Sequence, residues 1–274
     1  MPARPRKRHQ ALPFAKELGI IRPLKPRKYE GAFAYKYRNV EHLEWLEEIL
    51  LDNRLYFPTA CDLNDPEEAR PPLVASSQEA LIATFVELNA KAKPFLTNHG
   101  LATDAAVIDL YVRRLGSDTW LTMLKRSLDP LLQRFRIYSL SKRWNNPHLW
   151  QEYAGSHTGY CLEFRNEEPF GPIFDVRYDD IALDITGPER SEPYFLFYKT
   201  KLWKNEEEVR MMTQQGSESR QSFDPRRLTR VILGRDIDRT HAATICGWVE
   251  RRELPLNVLS EVDILPVPQA GLAL

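Results

Sequence analysis

The stretch Phe135–Phe164, FRIYSLSKRWNNPHLWQEYAGSHTGYCLEF, decides how the fold is read. Phe135 to Ser141 (FRIYSLS) alternates in polarity as a half-buried strand does. Pro147 to Ala154 has its proline at a first-turn position, where the missing N–H removes no helical hydrogen bond, and reads as a short helix. Gly159 to Phe164 (GYCLEF) is a second strand. Strands and helices are interspersed here without a regular βαβ rhythm, and no GxGxxG or GxxxxGK loop occurs anywhere. The expected class is therefore α+β with a mixed or antiparallel central sheet, and not a doubly wound nucleotide fold.

Working outward toward the N-terminus, Ala32 to Tyr37 (AFAYKY) is an aromatic strand with Phe33, Tyr35 and Tyr37 on one face and Lys36 on the other. Asn39 suits the N-cap of an amphipathic helix from Val40 to Asp52, and Arg54 to Pro58 returns as a strand before the loop at 62–68. From 76 to about 134, apolar residues recur at helical spacing (Leu81, Phe85, Leu88; Leu121, Leu124, Leu128), which marks an inserted helical block. Toward the C-terminus the expected elements are a strand at Ile173–Tyr178, a helix at Pro193–Trp203, and strands at Glu207–Met212 and Thr229–Leu233. A helix capped by Asp238 or Thr240 and a strand at Asn257–Ile264 complete the set. This gives a single α+β domain over 32–274 behind an arm at 1–31.

Composition narrows the class further. With 274 residues, 43% hydrophobic and 11% aromatic, the chain can bury a sizeable core. Lys plus Arg and Asp plus Glu are both 38, which argues against a uniformly basic nucleic-acid binder. The balance is uneven, however. Met1 to Lys28 carries nine basic residues against Glu17 alone, leaving 29 basic against 37 acidic in the rest. Such an arm can touch nucleic acid through its phosphates, or it is simply a solvated, proline-broken tail. Cys61, Cys161 and Cys246 form no CxxC or Cys/His cluster, so neither a disulfide framework nor a zinc site is expected. No apolar run reaches the length of a membrane helix and no signal peptide is evident, so the expectation is a cytoplasmic protein with no membrane partner.

Four clusters place polar residues in apolar, aromatic settings. They are Tyr35-Lys36-Tyr37-Arg38; Asn64-Asp65-Pro66; Ser139 to Trp150 continuing through Tyr153, His157, Gly159 and Cys161; and Trp203 to Arg210. In this order, across roughly Tyr35 to Gly234, they resemble the bacterial family of domain of unknown function 2971. The order is also similar to the ADP-ribosyltransferase fold, in which a His or Arg stands on an early strand, a Ser, Thr or Tyr on a middle strand and a Glu on a late one.

That second resemblance implies an NAD-using enzyme acting on a protein or nucleic acid, with a role in bacterial conflict such as phage defence. Glu208 or Glu206 would stabilise the oxocarbenium-like state at the ribose, with Ser139 positioning the sugar. Lys36 or Arg38 would hold the pyrophosphate, and Trp150 or Tyr153 would stack on nicotinamide. Ser141, His157 and Arg210 complete the expected NAD-contacting set. The plainer readings stand beside these. Glu206, Glu208 and Arg210 alternate as a solvated strand face would, Trp150 and Tyr153 suit a core, and His157 suits a loop hydrogen bond. Two rival functions are also open: a metal-dependent nuclease using Asp65, Glu163, Glu206 and Glu208, and a non-catalytic nucleotide-sensing module.

Overall fold

The computed structural model describes residues 25–63, 72–77, 79–80, 82–84, 87, 132–167, 171–181, 183–184, 186–187, 193–213 and 218–264. The arm through residue 24, the Asn64-Asp65-Pro66 loop and nearly all of the inserted helical block fall outside these residues. The described elements run β1 (Phe33–Arg38), α1 (Leu43–Glu47), β2 (Arg54–Tyr56), β3 (Leu73–Val74), β4 (Arg136–Ser141), α2 (Pro147–Glu152), β5 (Tyr160–Arg165), β6 (Phe174–Asp175), β7 (Arg177–Tyr178) and β8 (Leu183–Asp184). They continue as β9 (Tyr198–Lys199), β10 (Glu208–Thr213), β11 (Arg220–Ser222), β12 (Leu228–Leu233), α3 (Arg239–Glu250), β13 (Asn257–Ser260) and α4 (Glu261–Ile264).

The chain divides into two compact units. The unit built on Pro26–Thr59, Phe135–Val176 and Leu202–Leu274 carries a seven-stranded sheet in the order β13-β12-β5-β1-β4-β10-β6. Every neighbouring pair is antiparallel except β12 with β13, so the sheet is mixed, as the α+β reading expects. In the other unit, β3 pairs with β8 and β7 with β9, both parallel. There Ser77 Oγ accepts from Ala80 N–H at 3.1 Å, and Ser76 turns its hydroxyl to Asp184 at 2.7 Å.

Strand periodicity gives the large sheet two different faces. One is apolar: Ala34, Tyr138, Leu140, Leu162, Phe164, Val209, Met211 and Val231 are buried together with Leu46 and Leu50 and with Ile245 of α3. The expected Val40–Asp52 helix is split here. Leu43–Glu47 is α-helical and Glu48–Asp52 is a π-helical turn that ends at Asn53 in the left-handed region (φ 52°). Asn39 does not cap it; its side chain pairs with Glu41. The expected long helix over Pro193–Trp203 is likewise two 3₁₀ turns, Pro193–Phe197 and Lys201–Glu206, separated by β9. The final expected strand ends at Ser260, where α4 begins.

The second face is covered by α2. Asn146 caps this helix, accepting from the His148 and Leu149 N–H groups, with Pro147 following at the first position. Trp150 and Leu149 descend from α2 onto Tyr35, Tyr37, Cys161 and Ile232. Trp150 meets Tyr37 edge to face at 5.2 Å and donates its indole N–H to the Trp144 carbonyl at 2.8 Å. Burying one such aromatic stabilises by about 1.5–3 kcal/mol. Leaving α2, Gly155, Ser156 and His157 all have positive φ. The chain then re-enters the sheet through Gly159, where a Cβ would lie 2.1 Å from the Arg38 carbonyl oxygen, so only glycine fits.

Candidate functional site

On the α2-covered face the register aligns a polar row across six strands. Asn257 stands opposite Arg230, Arg230 opposite Glu163, Glu163 opposite Tyr35, Tyr35 opposite Ser141, and Ser141 opposite Glu208. The two ends of this row differ in chemistry.

The Glu208 end is closed. Arg210, two residues along β10, is fully buried and donates to Glu208 from Nε at 2.6 Å and from its terminal nitrogen at 3.0 Å. Burial pulls the Arg210 pKa down to about 9, and the two-point carboxylate contact opposes that desolvation by favouring the charged form. Ser141 Oγ donates to the Glu206 carbonyl at 3.0 Å. Tyr153 Oη donates to the buried Glu206 carboxylate at 2.5 Å. Glu206 belongs to the 3₁₀ turn before β10 and Glu207 has a φ of 48°, so the acidic run does not alternate along one strand as the sequence pattern implies. Glu207 instead pairs with Arg143.

The structure therefore brings Ser139, Ser141, Glu206, Glu208, Arg210 and Tyr153 to one side of the sheet. Ser139 stands opposite Arg210 and Ser141 opposite Glu208. Lys36 and Arg38 are not among them, because they alternate to the other face. Lys36 Nζ lies over the Tyr138 ring and donates to the Ser139 carbonyl at 2.7 Å, while Arg38 lies over Trp45. Trp150 is buried under α2 and has no face to offer nicotinamide. His157 stacks on Trp150 at 5.7 Å, and its Nδ1 lies 2.9 Å and 3.0 Å from the two oxygens of Glu261 in α4. That buried pair ties the turn after α2 to the end of β13.

The Glu163 end is open. Tyr35 Oη donates to Glu163 Oε2 at 3.2 Å; burial, and then the carboxylate, push the phenol's pKa up. The register of β12 against β5 slips between Leu228 and Arg230, leaving Thr229 as an extra residue. A bulge of this kind re-aims side chains, and Thr229 Oγ1 donates to Glu163 Oε1 at 2.8 Å. Arg230 Nε lies 3.5 Å from the same oxygen, with its side chain 34% exposed.

Glu163, Thr229, Arg230 and Asn257, with Arg165 and Arg226, line a cleft of about 400 Å³ whose apolar side includes Phe33, Leu228 and Leu254. Arg226 is engaged by Asp224. Arg165 lies over the Phe33 ring at 5.7 Å and 3.5 Å from Glu167. Neither Arg165 nor Arg230 donates a side-chain hydrogen bond to another described residue.

Among the described residues no group of three or more His, Cys, Asp or Glu side chains is placed to hold a metal ion. Glu163 and Glu208 stand at separate points of the row, with Tyr35 and Ser141 between them. No described helix is long and apolar enough to cross a membrane. Sequence reasoning placed Arg230 inside an ordinary core strand (TRVIL) and passed over Arg165. The signal present in the sequence was a glutamate inside the otherwise apolar strand GYCLEF. No family model, curated protein or solved structure matches the chain.

Proposed function

We propose that this chain binds a nucleotide in the Glu163 cleft and acts as a nucleotide-responsive binding module. One observation carries the reading: the cleft sets two guanidinium groups with unfilled donors beside an aromatic ring. Guanidinium forks match phosphate oxygens in two-point contacts. Phe33 offers an edge or face to a base, and Thr229 and Asn257 add polar groups that fix orientation. A volume near 400 Å³ lies in the lower part of the range of about 300–1,000 Å³ usual for small-molecule sites. The test is calorimetric titration of the whole chain with purine and pyrimidine nucleotides. Saturable binding that weakens at least tenfold in Arg230→Ala is expected; no heat with any nucleotide at millimolar concentration would end the reading.

A second reading is the NAD-using ADP-ribosyltransferase. What favours it is the direct pairing of Ser141 with Glu208, beside Glu206. The engagement of Glu208 by Arg210 and the opposite placement of Lys36 and Arg38 rank it below the cleft. Nicotinamide release that disappears in Glu208→Gln would reverse that ranking. The order of the four motifs keeps the chain, on our reading, with the proteins of domain of unknown function 2971. Three free cysteines accord with a reducing, cytoplasmic setting.

A further inference from the structure

The nucleotide reading leaves open which part of the ligand the cleft recognises, and any answer rests on that reading. Arg165 stands two residues beyond Glu163 on β5, and Arg230 stands directly opposite Glu163 on β12. Both arginines therefore flank one carboxylate on one face of the sheet as diagonal cross-strand neighbours, and both line the same cleft. Glu163 is buried and already accepts from Tyr35 and Thr229. What it presents to the cleft is less its own oxygen than the orientation it gives Arg230. The Arg230 Nε faces the carboxylate, which leaves the two terminal nitrogens of the fork for something else.

We infer that the ligand ends in a terminal phosphate group, that Arg165 and Arg230 clamp this group, and that Glu163 is the positioning residue for Arg230. Charge supports the choice of group. Among the described residues, the lining holds three guanidinium groups against one carboxylate. A terminal phosphate carries nearly two negative charges above its second pKa of about 6, whereas each phosphoryl group inside a dinucleotide carries one. Shape supports it as well, since a cleft of about 400 Å³ leaves little room for a second nucleoside. The charged groups facing the clamp are Glu163 and Arg165 on β5, Arg230 on β12 and Arg226 from the turn before it; Asp224 and Glu167 stand behind the arginines as their partners. No histidine among the described residues lines the cleft, so a change in affinity near pH 6 reports the ligand's own titration.

The experiment is calorimetric titration of the full chain with ADP, NAD and pyrophosphate, each below and above pH 6. ADP should bind at least tenfold more tightly than NAD, and its affinity should rise with pH through about 6 while that of NAD stays flat. Arg165→Ala and Arg230→Ala should each weaken ADP at least tenfold. Arg230→Lys should also weaken it, because an ammonium cannot reproduce the fork. Glu163→Gln should weaken ADP while keeping the pH profile. Both arginine side chains are at least one-third exposed, so the alanine variants should unfold at the parental urea concentration, which separates lost binding from lost fold. NAD binding as tight as ADP, or a flat ADP profile, overturns the terminal-phosphate clamp and leaves the nucleotide reading standing. Arginine-dependent binding of pyrophosphate with no binding of ADP or NAD keeps the clamp and removes the nucleotide. No binding of any probe removes both.

Discussion

The two ends of the polar row use the same kinds of residue to opposite effect. At the β10 end, a carboxylate and a guanidinium two residues apart satisfy each other away from water, and Tyr153, Ser141 and Glu206 are knitted around them. At the β12 end, a buried carboxylate is satisfied by two hydroxyls, and the arginine opposite it approaches through Nε while its side chain stays about one-third exposed. A charged pair that is closed on itself specifies packing. One whose carboxylate is saturated by neutral donors can lend its cation to a ligand. Residue type and strand position are alike at the two ends; what separates them is the count of side-chain donors left unfilled.

The largest expected effect tests the closed end. Arg210→Ala leaves Glu208 buried without its partner and should cost about 3–5 kcal/mol in urea denaturation. Replacing both, Glu208→Gln with Arg210→Met, should recover much of that loss. An Arg210→Ala protein with parental stability would show that this end is not structural. Next in size is Tyr35→Phe, which stands between the ends and removes a donor from a buried carboxylate; a loss of about 1.5–3 kcal/mol is expected. Because Tyr35 also fixes Glu163, nucleotide affinity should fall in the same variant, and affinity that holds would uncouple the row from the cleft.

Arg230→Ala should change stability by no more than about 0.5 kcal/mol, as changes at partly exposed side chains usually do. A loss of several kcal/mol would make both ends alike and dissolve the comparison. The smallest effect is at Asp224. Arg226, by hydrogen bonding, holds this carboxyl down at about 2 from an ordinary 3.8. A folded pKa below the unfolded one means that its contribution is complete above about pH 4 and is lost as pH falls through about 2. Carboxyl chemical shifts followed through acid titration check this, and a midpoint near 3.8 would contradict it.

Much of the sheet was legible in the sequence, because β1, β4, β5, β10 and β12 alternate or run apolar over lengths typical of strands. A serine on β4 and a glutamate on β10 were expected only from the resemblance to the ADP-ribosyltransferase fold, and the register sets Ser141 rather than Ser139 opposite Glu208. The site was less legible for two physical reasons. Glu207 takes a left-handed backbone conformation, which breaks the alternation that Glu206-Glu207-Glu208 suggests. The bulge at Thr229 shifts a register that the letters TRVIL cannot reveal, and that shift brings Arg230 opposite Glu163. Lys36 and Arg38 illustrate the converse. Their spacing was read correctly, yet the partners assigned to them lie on the other face, since the sign of a two-residue period depends on which neighbour supplies the core.

The order in which the sheet is assembled has a consequence for synthesis. The strand that carries Arg230 and the strand that carries Asn257 are the last two of the sheet along the chain, and the second adds to the edge in parallel after the α3 crossover. A ribosome that has reached only α3 has made every strand of the closed end but not the full lining of the cleft. The growing chain thus carries both members of its buried ion pair before it carries every residue of the proposed site, whose lining is complete only once residue 257 has been added.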